Sequence, residues 1–316
     1  MHWLAQAPAN IALIKYMGKK DAHSNLPDNS SLSYTLNNLL STVRLELISQ
    51  EHDLWQPLLM PGIENDFPLA KAGQDRFIAH LQRLKNHFSY SGGFLIQSNN
   101  NFPYGSGLAS SASSFAALTR CASLALSELT GKESPSIEEQ AQLSRLGSGS
   151  SCRSFYSPWA LWKENEVIGL ELPYTQLIHQ VIVISNQEKK VSSSEAHKRV
   201  QTSPLYSSRG QRAEERLDDL LQALRSKDWS RISQLCWDDF QDMHHLFSSS
   251  AQAFSYITEE STQILNKLSA LWEQQGDGPI VTMDAGPNIH LLYRMDQMEQ
   301  AEQFKVEHLA DRYHVL

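Results

Sequence analysis

Pro103-Tyr104-Gly105-Ser106-Gly107-Leu108-Ala109-Ser110-Ser111-Ala112-Ser113 lies between a strand-like run ending near Ser98 and a stretch, Leu108 to Leu129, that is small and apolar on most faces. That stretch reads as a buried helix, which makes the segment before it a glycine-rich helix entry. Glycines let a backbone approach a ligand closely, and the first amides of a helix point outward at the positive end of its dipole. The hydroxyls of Ser110, Ser111 and Ser113 add donors without bulk. Such an entry suits a polyphosphate, and Ser98, Gly105, Gly107, Leu108, Ala109, Ser110, Ser111 and Ser113 are its candidate contacts. The Gly-Lys-Ser ending of a Walker loop is missing. A serine-rich helix start with several competing N-caps is the alternative reading.

Outward from this loop the chain divides unevenly. Before it, β-rich segments at Ala5 to Ile14, Ser31 to Leu36, Thr42 to Ser49 and Gly93 to Ser98 alternate with polar loops such as Lys19 to Ser30. After it, Ser136 with Glu139 three residues on forms a capping box that opens a helix to Leu146. Ser157 to Trp162 and Leu177 to Ser185 read as strands. Gln211 to Arg225, Trp229 to His245 and Thr258 to Gln274 are long and amphipathic, and a pair of strands around Asp284 precedes a last helix, Met295 to Ala310. Strands and helices with short antiparallel connections predict an α+β protein of two lobes.

Composition bounds the class. The 316 residues are 41% apolar and 20% charged, as in a globular protein with a real core. No apolar run is long enough to span a bilayer, and Met1 leads into a strand-like segment rather than a secretory leader, so a cytoplasmic location is expected. Cys121, Cys152 and Cys236 have no metal-ligand spacing and suggest no disulfide framework. A net charge of −8 argues against nucleic acid or anionic membrane as the main partner. Any anion site must therefore be a local concentration of positive charge.

Two segments supply that charge. Ala7 to Lys19 ends its alternation at Lys15 and Lys19, which flank Tyr16, Met17 and Gly18, and Gly147 to Ser154 sets serines beside Arg153. Lysine ammoniums and an arginine fork suit phosphates and carboxylates, although a solvated strand end is the ordinary reading of two lysines. Cys152 reads as a packing residue. Finally, Asp284-Ala285-Gly286-Pro287-Asn288 places one acid on a tight turn after the apolar run Pro279 to Met283, where it is either a positioned general base or simply part of a turn. The neighbours His244 and His245 face apart on a helix, which favours surface or packing roles over a shared metal.

Together these segments resemble the GHMP kinase superfamily, and within it the mevalonate diphosphate decarboxylases. The N-terminal signature resembles Ala7 to Lys19 followed by Leu26 to Ser33, the nucleotide loop Asn100 to Ala112, the arginine segment Gly147 to Ser154, and the acidic turn Met283 to Asn288. The resemblance implies two GHMP-kinase-like lobes, 1–180 binding ATP and 181–316, with the active site in the cleft between them. It implies ATP and Mg²⁺, (R)-5-diphosphomevalonate as substrate, and isopentenyl diphosphate, CO₂, ADP and phosphate as products. It matches Asp284, Arg153 and Lys15 to catalytic positions. Tyr16, Met17, Gly18, Lys19, Ser148, Gly149, Ser150, Ser151, Cys152, Arg153, Ser192 and Ser194 match substrate-binding positions, the last two within a serine loop at Val191 to Ser194. No protein metal ligand is assigned, and a homodimer is left open.

The chemistry joins these groups. A tertiary hydroxyl leaves poorly, so ATP must phosphorylate it or assist its departure, with Asp284 orienting or deprotonating it and Arg153 holding the carboxylate in line. Three places depart from the family pattern. Met17 stands for Trp, Ser157-Pro158 for paired glycines, and Ala196-His197 for Gly-Met. Met17 and the change after the serine loop touch the substrate side and bear on which mevalonate derivative is accepted. The alternatives are a related kinase or decarboxylase of mevalonate or its phosphates, and a ligand-sensing member without turnover.

Overall fold

The computed structural model describes residues 1–21, 23–60, 69–102, 110–185, 189–309 and 314–315. The N-terminal part runs β1 (His2–Ile14), β2 (Lys19–Asp21), β3 (Leu26–Pro27), β4 (Ser31–Ile48), β5 (Leu54–Pro57), α1 (Lys71–Phe88), β6 (Gly93–Asn100), α2 (Ser110–Thr130), α3 (Ile137–Arg145), a 3-10 segment (Gly149–Phe155), β7 (Trp159–Lys163) and β8 (Glu166–Leu170). The C-terminal part runs β9 (Leu177–Val183), α4 (Ser193–Arg199), α5 (Arg209–Ser226), α6 (Trp229–Ser249), α7 (Glu259–Gln275), β10 (Ile280–Met283), β11 (Ile289–Arg294), α8 (Met298–His308) and β12 (His314–Val315), with short 3-10 turns before α5 and α8.

β4 organises the first sheet. It pairs antiparallel with β1 along most of its length, with β6 over its second half and with β7 over its first. The sequence reading split this strand in two at Asn37-Asn38. Both asparagine side chains are exposed, and the pairing with β1 steps from Leu36 opposite Ala9 to Leu40 opposite Pro8, so the polar pair that reads as a turn is a bulge that interrupts the ladder without ending the strand. On one face lie α1, α2 and α3. The small residues of α2 let it sit close against β1 and β4, with Ala116, Ala117, Ala122 and Ala125 fully buried. The capping box at Ser136 and Glu139 forms as the sequence predicts.

The opposite face of the first sheet carries α5 and α6, whose Ala213, Leu217, Leu220, Ile232 and Leu235 pack on Ile11, Leu13 and Tyr34. β1 is thus covered on both faces from Ala9 onward. The second sheet, β10-β11-β9-β12, packs against α6, α7 and α8. Helix α6 touches both sheets, which fixes the end of β1 against the turn after β10. Among the described residues no helix is long and apolar enough to cross a membrane.

Candidate active site

β1 ends at Ile14 and β10 at Met283, and the next residue of each carries a charge. Lys15 Nζ meets Asp284 Oδ1 at 2.7 Å, with Lys15 2% exposed and Asp284 27%. Lys15 is fixed from behind. Its amide donates to Asp239 Oδ2 at 2.6 Å, and its carbonyl accepts from Asn29 Nδ2 at 2.9 Å and from Arg209 Nη2 at 3.3 Å. Arg209, itself buried, forks onto Asp239 at 2.7 Å and reaches Asp242 at 3.0 Å, where Arg212 and Arg216 also converge.

Burial opposes ionisation of Asp284, but the charges of Lys15 and His290, the Lys15 hydrogen bond and the charge of Arg153 outweigh it and hold the carboxyl below its ordinary range. The turn itself is pinned. Gly286 N–H donates to the Asp284 carbonyl at 2.8 Å, Asn288 Oδ1 accepts from the amides of Ile184 and Ser185, and Ser261 Oγ donates to the Pro287 carbonyl. His244 Nε2 lies 3.2 Å from the Asp284 carbonyl, and since a carbonyl only accepts, this nitrogen carries the proton. Burial lowers the His244 pKa to about 4. His245 is exposed, so the adjacent histidines do face apart.

Arg153 lies on the 3-10 segment, 3% exposed. Its Nε donates to Asn10 Oδ1 at 3.2 Å, its Nη1 to Ser31 Oγ at 2.8 Å, and its guanidinium covers the Trp162 ring at 5.7 Å. These contacts aim the fork, and its charge bears on Asp284. Lys189 adds a third cation. Burial lowers its pKa and the charge of Asp284 raises it.

A second group of cations gathers around Lys19. Lys19 Nζ donates to Asn25 Oδ1 at 2.6 Å, and burial together with the charges of Arg76 and Lys198 lowers its pKa. Arg76, on α1, is exposed; it donates to the Gly147 carbonyl at 3.2 Å and lies over Phe115. Gly18 has φ +98°, and a Cβ there would fall 2.2 Å from the Tyr206 hydroxyl, so only glycine fits. The Tyr16 ring packs between Trp162 at 4.7 Å and His197 at 4.4 Å. Met17 is buried with Met243, Phe247 and Ala285. At Gly149 a Cβ would press on the Tyr16 ring at 2.8 Å.

Several expected contacts face elsewhere. Ser151 is fully buried and spends its hydroxyl on the Ser148 carbonyl and Ser144 Oγ, while Cys152 turns its thiol to the Gly149 carbonyl, where burial pushes its pKa up to about 12. Both are fully buried within the segment, and their neighbours Arg153, Ser154 and Phe155 are buried as well. Ser113 likewise bonds Ser41 Oγ and the Ser110 carbonyl. Ser192 accepts from Glu195 N–H as the N-cap of α4. Ser98 Oγ accepts from Trp55 Nε1. Ser150 gives its carbonyl to Asn10, and Ser194 is exposed. Ser148 reaches Ser111 at 3.4 Å, which brings the arginine segment beside the helix entry, where Ser110 opens α2. Gly105, Gly107, Leu108 and Ala109 lie outside the described residues. The three cysteines are free buried thiols.

The start of α2 beside the arginine segment, and the turn after β10 whose Asp284 pairs with Lys15, belong to an α+β enzyme of the GHMP kinase class. Residues 7–171 match the model of the diphosphomevalonate decarboxylase-like N-terminal domain, and residues 179–312 that of the mevalonate 5-diphosphate decarboxylase C-terminal domain. The chain belongs to the mevalonate diphosphate decarboxylases. A crystal structure of the mevalonate diphosphate decarboxylase from Legionella pneumophila is 64% identical, with a TM-score of 0.94 and 100% of each chain covered. The diphosphomevalonate decarboxylase of Homo sapiens is 32% identical over 89% of this chain and 74% of its own. A structure described as MDDEF in complex with MVAPP, AMPPCP and magnesium is 27% identical, with a TM-score of 0.88, covering 100% of this chain and 95% of that one.

Proposed function

We infer that this protein carries out the ATP-dependent decarboxylation of (R)-5-diphosphomevalonate to isopentenyl diphosphate through Asp284, Lys15 and Arg153. The observation that carries the residue assignment is the ion pair of Lys15 and Asp284 at 2.7 Å, made by groups from the two lobes, with the charge of Arg153 bearing on the same carboxylate. On this reading the substrate's 3-hydroxyl lies against Asp284. Its oxygen attacks the γ-phosphorus of ATP, its proton passes to Asp284, and ADP leaves. A carboxylate held below its ordinary range is a weak base, so the proton moves late, once bonding to phosphorus has acidified the hydroxyl. The new phosphate then departs with its bonding pair, the bond from the substrate's carboxylate to its chain breaks, and that pair forms the alkene as CO₂ leaves. Arg153, fixed by Asn10 and Ser31, holds the carboxylate in line.

ATP belongs at the helix entry that opens α2, beside Ser111 and Ser148. Among the described residues no cluster of three or more His, Cys, Asp or Glu side chains is placed to hold a metal. Mg²⁺ therefore fits as an ion carried by the nucleotide's phosphate oxygens, which are the hard ligands it prefers; there it supplies charge neutralisation of the phosphates. Lys19, with Arg76 and Lys198 in charge reach, belongs to the diphosphate tail. The lobes divide between 171 and 179 on this reading, ahead of residue 180, since β9 pairs with β11. The deciding assay is ATP-dependent CO₂ release with mevalonate, its 5-phosphate and its 5-diphosphate. Release from the 5-diphosphate with stoichiometric ADP is expected, and phosphorylation of another form without CO₂ would overturn the assignment.

A further inference from the structure

His197 stands on α4, in place of the methionine that the family pattern has there, and its ring is clamped. Nδ1 accepts from the Gly18 amide at 3.0 Å, and the ring face lies 4.4 Å from that of Tyr16. Because Nδ1 accepts, the imidazole carries its proton on Nε2. The residue is 8% exposed, yet Nε2 has no hydrogen-bond partner among the described residues and is not one of the buried atoms sealed without one. The charge of Lys19 bears on the ring, and those of Arg76 and Lys198 bear in turn on Lys19, so the unpaired donor stands beside the cations assigned to the diphosphate tail.

We propose that His197 is a specificity-determining residue for the substrate's diphosphate, donating Nε2–H to a tail phosphate oxygen while its Nδ1 holds the Gly18 amide that shapes the tail pocket. The inference rests on the reading of the site given above. The ring has little freedom to aim elsewhere. Gly18 is locked at φ +98° and closed off by Tyr206, whose hydroxyl is held by Asp28 at 2.7 Å. Burial and the charge of Lys19 lower the His197 pKa to about 3, so the imidazole stays neutral and both roles persist at working pH. A thioether at this place supplies neither the acceptor for Gly18 nor the donor for phosphate. The tail of a diphosphate extends one phosphate beyond that of a monophosphate, so a donor beside Lys19 favours the longer tail.

The test separates the two nitrogens. His197→Asn keeps an acceptor where Nδ1 lies and removes the far donor, whereas His197→Gln keeps a donor near Nε2. Losing one hydrogen bond to a charged group is expected to raise the KM for 5-diphosphomevalonate about 10- to 100-fold in His197→Asn. The KM for ATP, kcat and the thermal midpoint should stay near parental, and His197→Gln should recover most of the lost affinity. Calorimetry with 5-diphosphomevalonate and 5-phosphomevalonate reads the same difference without turnover, and only the diphosphate should weaken. A parental KM in His197→Asn, or equal weakening of both ligands, overturns the inference. Should His197→Asn fail to fold, His197→Gln carries the test, and a diphosphate affinity as low as that of His197→Met overturns it. A parental enzyme that releases no CO₂ from 5-diphosphomevalonate, yet binds ATP, instead overturns the reading beneath.

Discussion

Lys15 and Lys19 sit one turn of chain apart on the same segment and live in opposite surroundings. Lys15 is 2% exposed, with its amide, its carbonyl and its ammonium each held by a named partner. Lys19 is half-buried, its ammonium donates to Asn25, and the positive charges of Arg76 and Lys198 bear on it. On the function proposed above, the Lys15 end is the reacting end, built before substrate arrives, and the Lys19 end is the tail end that a diphosphate would complete. Preorganised charge at the reacting centre lowers the barrier, whereas loosely held charge at the remote end supplies binding.

The largest effect should come from the reacting end. Asp284→Asn keeps the size, removes the charge and is expected to cost about 10²–10⁴-fold in single-turnover phosphoryl transfer. A folded variant with near-parental rate would dissolve the contrast between the two ends. Next comes the scaffold behind Lys15. Asp239→Asn leaves Arg209 short of its main partner, and breaking such a buried pair costs about 3–5 kcal/mol. Urea denaturation should show that loss together with a fall in kcat; a stability change within ~0.5 kcal/mol would mean that Asp239 holds nothing.

At the tail end Lys19→Ala should be milder, raising the KM for 5-diphosphomevalonate about tenfold, near the value of one charge-assisted hydrogen bond, with kcat preserved. A kcat loss as large as its KM change would show that the ends are not separate. The smallest effect is the response to pH. Burial holds His80 at about 3 and His244 at about 4, against ~6.5 in the unfolded chain. Between those values the unfolded state binds protons the folded state refuses, so stability rises with pH from about 4 to 6.5 and levels above it. His244→Gln should flatten that slope in thermal melts, and an unchanged slope would show that His244 does not contribute.

The parts of the molecule that were legible in sequence are those whose cause is local. Ser136 and Glu139 lie three residues apart, and their capping box forms. The alanines and serines of α2 announce a buried helix, and the turn after β10 is written in Gly286 and Pro287. The single strand β4 was hidden because Asn37 and Asn38 carry the composition of a turn, while in the sheet they form a bulge and pairing with β1 resumes at Leu40. Asn10 and Ser31 sit inside quoted motifs, yet their grip on Arg153 spans 143 and 122 residues. Arg209 lay just ahead of the helix read from Gln211, Asp239 was an ordinary polar position on an amphipathic helix, His244 read as a surface or packing residue, and Lys189 lay outside any motif.

By itself the sequence determined most of the long amphipathic helices and several strands, the local surplus of positive charge on an acidic chain, and the family. Only the tertiary structure decided which polar groups meet. It set Lys15 against Asp284, sent Ser113, Ser151 and Cys152 into packing, and placed His197 over Gly18. The reason is physical. Propensity and capping act within a turn or two of chain and leave a readable pattern, whereas a buried ion pair forms only where packing has removed water from groups hundreds of residues apart.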